Sequence, residues 1–177
     1  CTLYRNNIQE VLINVHHHRY VVEEFLNRQR FEGWVSSVYE NELLGTAGTL
    51  RENWKFFWQL PVLLVHADNW CQCNLADFLH FHMHGRPENT AMTMMTFRSQ
   101  TPEACGIVEL DDAGIVQGLY EKVTNPPGNL ANGAVYLLEP EVLTWLMSNP
   151  SRTDFSTDVL PEFGGRIATW ENTEIHR

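Results

Sequence analysis

Pro61-Val62-Leu63-Leu64-Val65-His66-Ala67-Asp68-Asn69 is the stretch on which the reading of this chain turns. Its first five residues form a continuous apolar run, the pattern of a strand buried on both faces, and such strands belong to parallel sheets covered by helices. The run delivers Asp68 to the carboxyl edge of that sheet, where open α/β sheets bind their ligands. Upstream, Leu43-Leu44-Gly45-Thr46-Ala47-Gly48-Thr49-Leu50 leads into a helix. Gly45 and Gly48 lack the Cβ atoms that would hold a ligand off the backbone, and Thr46 adds a hydroxyl. Free N–H groups could then meet a base or phosphate where Ala47 onward begins the helix. Each device is ambiguous alone, because short Gly/Thr turns begin ordinary helices and an Asp after a strand is often an N-cap.

Working outward, Glu10–Val15 reads as a buried strand with His16-His17-His18 at its end, followed by a helix carrying Tyr20, Val21, Phe25 and Leu26 at helical spacing. Consecutive residues on an extended chain point apart, so the three histidines suit a strand-end turn better than one metal ion. Trp34–Tyr39 is a short strand entering the glycine turn, and the helix begun there is expected to run through Trp58. Leu75–His84 reads as a helix with Leu75, Phe78, Leu79 and His82 on one face. Cys71-x-Cys73 and His80-x-His82-x-His84 fit zinc spacing poorly, since i and i+2 positions on a helix diverge. Ala91–Phe97 is a strand with methionine filling the core.

Two strands around Asp111-Asp112-Ala113-Gly114 form a hairpin between Gly106 and Tyr120. It leads to Glu121-Lys122 and an extended crossover at Asn125-Pro126-Pro127. A strand follows at Ala134–Leu138, then a helix opened by Glu139-Pro140-Glu141, a short helix capped by Asp154 and Ser156, and a last strand at Arg166–Trp170. This βαβ alternation with one inserted hairpin predicts an α/β fold with a mixed, three-layer arrangement.

Composition narrows the function. The chain has 177 residues, 44% of them hydrophobic, and a net charge of −10. One domain with a proper core is expected, spanning residues 1–177, and an acidic surface argues against nucleic-acid partners. No apolar run is long enough for a membrane span, and the four cysteines fit no secreted disulfide framework, so a reducing cytoplasm is the expected compartment.

Taken in order, Glu40–Leu50, Ala67-Asp68-Asn69, Cys105-Gly106-Ile107-Val108, Glu121-Lys122 with Asn125-Pro126-Pro127, Asn132-Gly133-Ala134-Val135-Tyr136 and Asp154–Pro161 resemble the sugar-nucleotide pyrophosphorylases. These nucleotidyltransferases join a nucleoside triphosphate to a sugar 1-phosphate and release pyrophosphate. The resemblance implies a Rossmann-like α/β/α mixed sheet of the nucleotide-diphospho-sugar transferase type. It implies that Leu44, Gly45, Thr46, Ala47 and Gly48 lie against the nucleotide, and that Asp68 holds Mg2+. It places Gly106, Glu121, Lys122 and Asn132 around the sugar phosphate, with Asp68 and Lys122 as the catalytic pair. Aligning the reactants and neutralising phosphate charge is the work such residues do.

The chain also departs from the resembled pattern. Nothing in Cys1–Glu10 matches the family's first strand and its glycine-rich loop, whose Arg and Lys hold the triphosphate. The family's second metal-binding Asp, in a W-x-D-I-G-like segment, is expected about where the chain reaches His176-Arg177. Asn132-Gly133-Ala134 stands where Asn-Ala-Gly is commoner. A non-catalytic module keeping the sugar-phosphate half is therefore the alternative. In the resembled fold the unmatched first strand is central to the sheet, so Glu10–Val15 or Pro61–Val65 is expected to expose an unpaired edge and favour a homo-oligomer.

Overall fold

The computed structural model describes residues 2–176. Its strands are β1 (Val11–Val15), β2 (Val35–Tyr39), β3 (Val62–Val65), β4 (Met92–Arg98), β5 (Gly106–Leu110), β6 (Val116–Glu121), β7 (Leu130–Leu138) and β8 (Ile167–Glu171). The α-helices are α1 (Thr2–Arg5), α2 (Arg19–Leu26), α3 (Gly45–Glu52), α4 (Leu75–His80) and α5 (Pro140–Ser148).

β7 organises the main sheet. One of its edges carries β4 in antiparallel register from Met92 opposite Leu138 to Arg98 opposite Leu130, and β8 lies parallel on the far side of β4. The other edge is shared, with β3 beside Val135–Leu138 and β5 meeting Ala131 through Ile107. β6 completes the hairpin on β5.

Alternation along β7 sends side chains into two cores. Tyr136 and Leu138 join Met92, Met94, Ala47, Leu50, Val142, Leu146, Phe155 and Leu160 beneath α3 and α5. Val135 and Leu137 join Met95, Leu75 and Phe78 beneath α4. Two helical layers therefore sandwich the sheet, as the alternation of strands and helices predicts. The methionines fill the core, each contributing roughly 1.5–3 kcal/mol when fully buried.

The structure differs from the sequence-based expectation in three places. α3 stops at Glu52 instead of Trp58. The Asn53 side chain donates to the Thr49 carbonyl at 2.9 Å, and the aromatic run that follows folds as turns. β7 begins four residues before Ala134, because Leu130 and Ala131 pair with Arg98 and Phe97. The helix from Leu75 widens into a π turn at Phe81–Gly85, which still buries His82.

The sheet is also not continuous. β1 and β2 form their own parallel ladder, from Val11 opposite Val35 to Val15 opposite Tyr39. Among the described residues no ladder joins β1 to β3. Val11, Leu12, Ile13 and Asn14 of β1 and Val62–Val65 of β3 instead line one cleft of about 1720 Å³.

Candidate functional site

The glycine turn begins with a buried carboxylate. Glu40, only 4% exposed, accepts the Thr49 hydroxyl at 2.5 Å and the Leu44 N–H at 3.4 Å, so it staples the 40–44 turn to α3. Gly45 has φ +72°, and a Cβ there would sit 2.3 Å from the Thr153 carbonyl oxygen. This glycine is required by the close approach of the 153–158 segment. That segment is itself fixed, since Asp158 accepts the N–H groups of Thr153 and Asp154 at 2.9 and 3.0 Å. Those two bonds favour the Asp158 carboxylate and hold its pKa below the usual range.

The turn corrects part of the expectation for the nucleotide side. Ala47 is fully buried, and its N–H already donates to the Thr153 carbonyl at 3.0 Å, so it is not a free donor. Gly48 is buried as well, and Leu44 is half-buried. Gly45 and Thr46 are the members of the turn that line the cleft, together with Glu40, Thr49, His66 and Asp68. Asp68 is exposed in the loop after β3, and among the described residues no hydrogen bond or ion pair holds its carboxylate.

The sugar-side residues converge across β5, β6 and β7. Gly106 pairs with Glu121, and a Cβ on Gly106 would lie 2.6 Å from Glu121 Oε2 and 3.9 Å from the Asn132 Cβ. Glycine therefore makes room for the Glu121 carboxylate, which lies beside Asn132. Asn132 is locked: its Nδ2 donates to the Tyr136 hydroxyl at 2.7 Å, and its Oδ1 accepts the Ala134 N–H at 3.0 Å. Burial pushes the Tyr136 phenol up to about 12, so it remains a neutral hydroxyl in this contact. Lys122 is exposed, with Nζ 3.9 Å from Glu121 Oε1, a separation at which a solvated pair contributes little by itself. Its backbone is left-handed at φ +49°, a strain of the kind that collects at ligand sites.

The two halves meet at Asn132-Gly133-Ala134. Asn69, next to Asp68, donates through Nδ2 to the Gly133 carbonyl at 3.1 Å, and the His66 N–H reaches the Ala134 carbonyl at 3.3 Å. Ala134 is left-handed at φ +51°, the conformation that a glycine at this position relieves. Gly133 in turn faces the Met95 carbonyl and the His176 ring, where a Cβ would sit 2.9 and 3.0 Å from the nearest atoms. The inverted order of this motif thus has a physical meaning: the tight contact takes the glycine, and the left-handed residue bears the strain.

Two histidines of the tempting metal patterns have other partners. His16 Nδ1 lies 2.8 Å from the Glu40 carbonyl, at a strand-end turn. His82 Nδ1 lies 2.8 Å from the Thr93 hydroxyl, while its Nε2 is 3.2 Å from Glu139 Oε1 but off the line of a hydrogen bond. Burial, with the nearby Arg86 guanidinium, lowers this imidazole to about 4. Among the described residues no three His, Cys, Asp or Glu side chains come together as a metal-binding group. A Mg2+ at Asp68 would take one protein carboxylate and complete its shell with phosphate oxygens and water, which is how this ion binds in phosphoryl-transfer sites.

A two-faced α/β sheet with a glycine turn, a carboxylate at a cleft rim and a cluster of polar side chains beside it defines a class of phosphate-handling proteins. The chain belongs to the nucleotidyl transferase family, whose model matches residues 1–169. It is 26% identical over 155 residues to a mannose-1-phosphate guanyltransferase of Pichia angusta, covering 84% of this chain and 42% of the relative. A probable mannose-1-phosphate guanylyltransferase 3 of Oryza sativa subsp. japonica is 27% identical over 160 residues, covering 87% and 43%. The chain thus spans under half the length of these curated relatives. The fold matches HddC from Yersinia pseudotuberculosis, with TM-score 0.80 and 16% identity over 99% of this chain and 75% of that one. It also matches a putative glucose-1-phosphate thymidylyltransferase from Bacillus anthracis, with TM-score 0.81 and 16% identity over 99% and 72%.

Proposed function

We propose that this chain carries the core of an enzyme that joins a nucleoside triphosphate to a sugar 1-phosphate and releases pyrophosphate. The observation that carries the reading is the meeting of Gly106, Glu121 and Asn132, with Asn132 locked by Tyr136 and Ala134, next to a cleft rim holding Thr46 and Asp68. In this reading residues 1–177 act as one nucleotidyltransferase-like domain. The turn at Leu44, Gly45, Thr46, Ala47 and Gly48 supports the nucleotide, with Gly45 and Thr46 making its contact surface.

Glu121 accepts hydrogen bonds from sugar hydroxyls, Asn132 and Gly106 shape the pocket, and Lys122 swings from Glu121 to pair with the sugar phosphate. Asp68 is the carboxylate for Mg2+, which when bound neutralises charge on the phosphates. The names of the relatives favour guanosine triphosphate and mannose 1-phosphate as substrates. The acidic charge excludes nucleic acid from the proposal, and thiols left free at Cys71, Cys73 and Cys105 suit a cytoplasmic location. The test is pyrophosphate release across several nucleotide and sugar 1-phosphate pairs. Turnover abolished by Asp68→Asn and Lys122→Ala supports the reading, and no turnover with any pair rejects activity for this chain.

The open cleft favours a second reading, in which the sugar-phosphate half binds while triphosphate is held poorly. It also supports a homo-oligomer, because Val65 is 44% and Leu60 59% exposed along a cleft with two unshared strand edges. Sedimentation at low micromolar concentration is expected to show a dimer or larger species. A folded, stable monomer contradicts that part of the proposal.

A further inference from the structure

Among the described residues no partner holds the Asp68 carboxylate, but the loop that bears it is fixed. At its start the loop is tied to β7 through Asn69 and the Gly133 carbonyl. Farther on, the Gln72 N–H donates to the Ile175 carbonyl at 2.8 Å, and Cys71 forms an isolated antiparallel bridge with His176. The Gln72 carbonyl accepts the Asn172 Nδ2 at 3.0 Å. The segment after β8 therefore grips the Gln72 residue by both its donor and its acceptor.

Asn172 is the centre of this grip. It is 3% exposed, its own N–H donates to the Thr96 carbonyl of β4 at 2.7 Å, and its Oδ1 accepts the Glu174 N–H at 3.2 Å. One carboxamide thus links the middle of the main sheet, the 172–176 segment and the loop carrying Asp68. The residue type matters, because the carboxamide carries a donor and an acceptor on one carbon and so satisfies both backbone groups in a buried place.

We propose that Asn172 is the positioning residue for Asp68, holding the 69–74 loop so that the carboxylate stays at the cleft rim beside Asn132-Gly133-Ala134. This rests on the reading of Asp68 as the ligand for the divalent cation. Removal of the carboxamide releases the Gln72 carbonyl and lets the loop sample other positions, while the side-chain bonds of Asn132 to Tyr136 and Ala134 lie outside this grip. Residues that orient a metal ligand without touching the metal commonly change affinity by roughly 10–100-fold when removed.

The experiment compares the full chain with Asn172→Ala, Asn172→Ser and Asp68→Asn. Binding of Mn2+·GTP is followed by water-proton relaxation, mannose 1-phosphate by calorimetry, and loop opening by amide exchange at residues 69–74. Asn172→Ala is expected to bind Mn2+·GTP on the order of tenfold more weakly, to exchange those amides faster, and to bind mannose 1-phosphate unchanged. Asn172→Ser, too short to reach Gln72, takes its place if the alanine variant does not fold. Loss of Mn2+·GTP binding in Asp68→Asn but not in the Asn172 variants overturns this inference and leaves the Asp68 reading standing. An equal loss of both ligands in the Asn172 variants also overturns it, by showing a merely structural role. Unchanged binding in Asp68→Asn, or none in the parent chain, removes the reading and the inference together.

Discussion

The proposed sugar side and the proposed nucleotide side of this molecule are built to different degrees of completion. Around Gly106, Glu121 and Asn132 the strands β5, β6 and β7 are joined in one sheet, with β6 at its edge, and Asn132 is held by both ends of its amide beside a fully buried Tyr136. Around Thr46 and Asp68 the flanking strands β1 and β3 each bond on one side only, and a cleft lies between them. Preorganisation lowers the ordering cost of binding, so the finished side is equipped to hold its ligand alone. The open side depends on whatever occupies the cleft.

The largest expected difference is in local stability. Amides of β4 and β7, in the middle of the main sheet, should exchange with the global unfolding of the chain, while those of β1 and β2 open through local fluctuation. Exchange monitored by mass spectrometry is expected to separate the two sets by on the order of a thousandfold or more. Equal protection of β1 and β4 would mean that the two sheets unfold as one, and would break the comparison.

Gly45→Ala probes the seam between the glycine turn and the main core. The left-handed backbone alone costs about 1–2 kcal/mol for alanine, and the clash with the Thr153 carbonyl adds to it, so a loss of roughly 3 kcal/mol is expected in denaturant unfolding. A loss under about 0.5 kcal/mol, the ordinary surface value, would show that the 153–158 segment yields freely.

His82, which lines the cleft and reaches the Thr93 hydroxyl of β4, tests the packing of the π turn on the main sheet by pH. Its folded pKa lies near 4, below the usual 6.5 of an unfolded histidine, because burial and Arg86 disfavour the charged ring. The unfolded chain therefore binds the extra proton first. The stability that His82 contributes is fully present above about pH 6.5 and is lost as pH falls toward 4, by roughly 2–3 kcal/mol. Urea midpoints of the chain and of His82→Gln, measured between pH 7 and pH 4.5, should converge as the pH drops. Parallel curves would show that Glu139 offsets the burial of the ring.

The smallest effect is expected at the join between the two sides. Ala134→Gly relieves the left-handed strain at φ +51° and should stabilise the chain by up to about 1 kcal/mol, net of the added chain entropy of glycine. A destabilisation would show that the Ala134 side chain contributes more by packing against the core than its backbone loses.

These contrasts mark what the sequence could express. The Val62–Val65 run, the Asp111–Gly114 turn and the methionines of β4 are local patterns, and they appear as a strand, a hairpin and a two-faced core. The expected parallel sheet covered on both faces does not hold for the first of them, because β3 pairs antiparallel with β7 and only Val62 in it is buried. The meeting of Gly106 with Glu121 is expected only through the family resemblance, because a register shift between Glu109 and Leu110 moves the partner of Gly106 one residue along β6. Other features depend on contacts distant in sequence. The use of the Ala47 N–H by Thr153, the burial of Glu40 and the grip of Asn172 on Gln72 join segments about 100 residues apart or are set by how helices settle on the sheet. The early end of α3 had a local signal in Asn53, whose side chain competes for the helix carbonyls. The break between β1 and β3 had none, because pairing between distant strands leaves no mark in either strand alone.

The most direct measurement of the unequal halves is a pair of calorimetric titrations of the same preparation, one with mannose 1-phosphate and one with Mg2+·GTP. The account predicts saturable binding of the sugar phosphate, weakened at least about tenfold by Asn132→Ala through loss of a hydrogen-bonding partner in the pocket, and much weaker binding of the triphosphate. Tight triphosphate binding together with no binding of the sugar phosphate would contradict it.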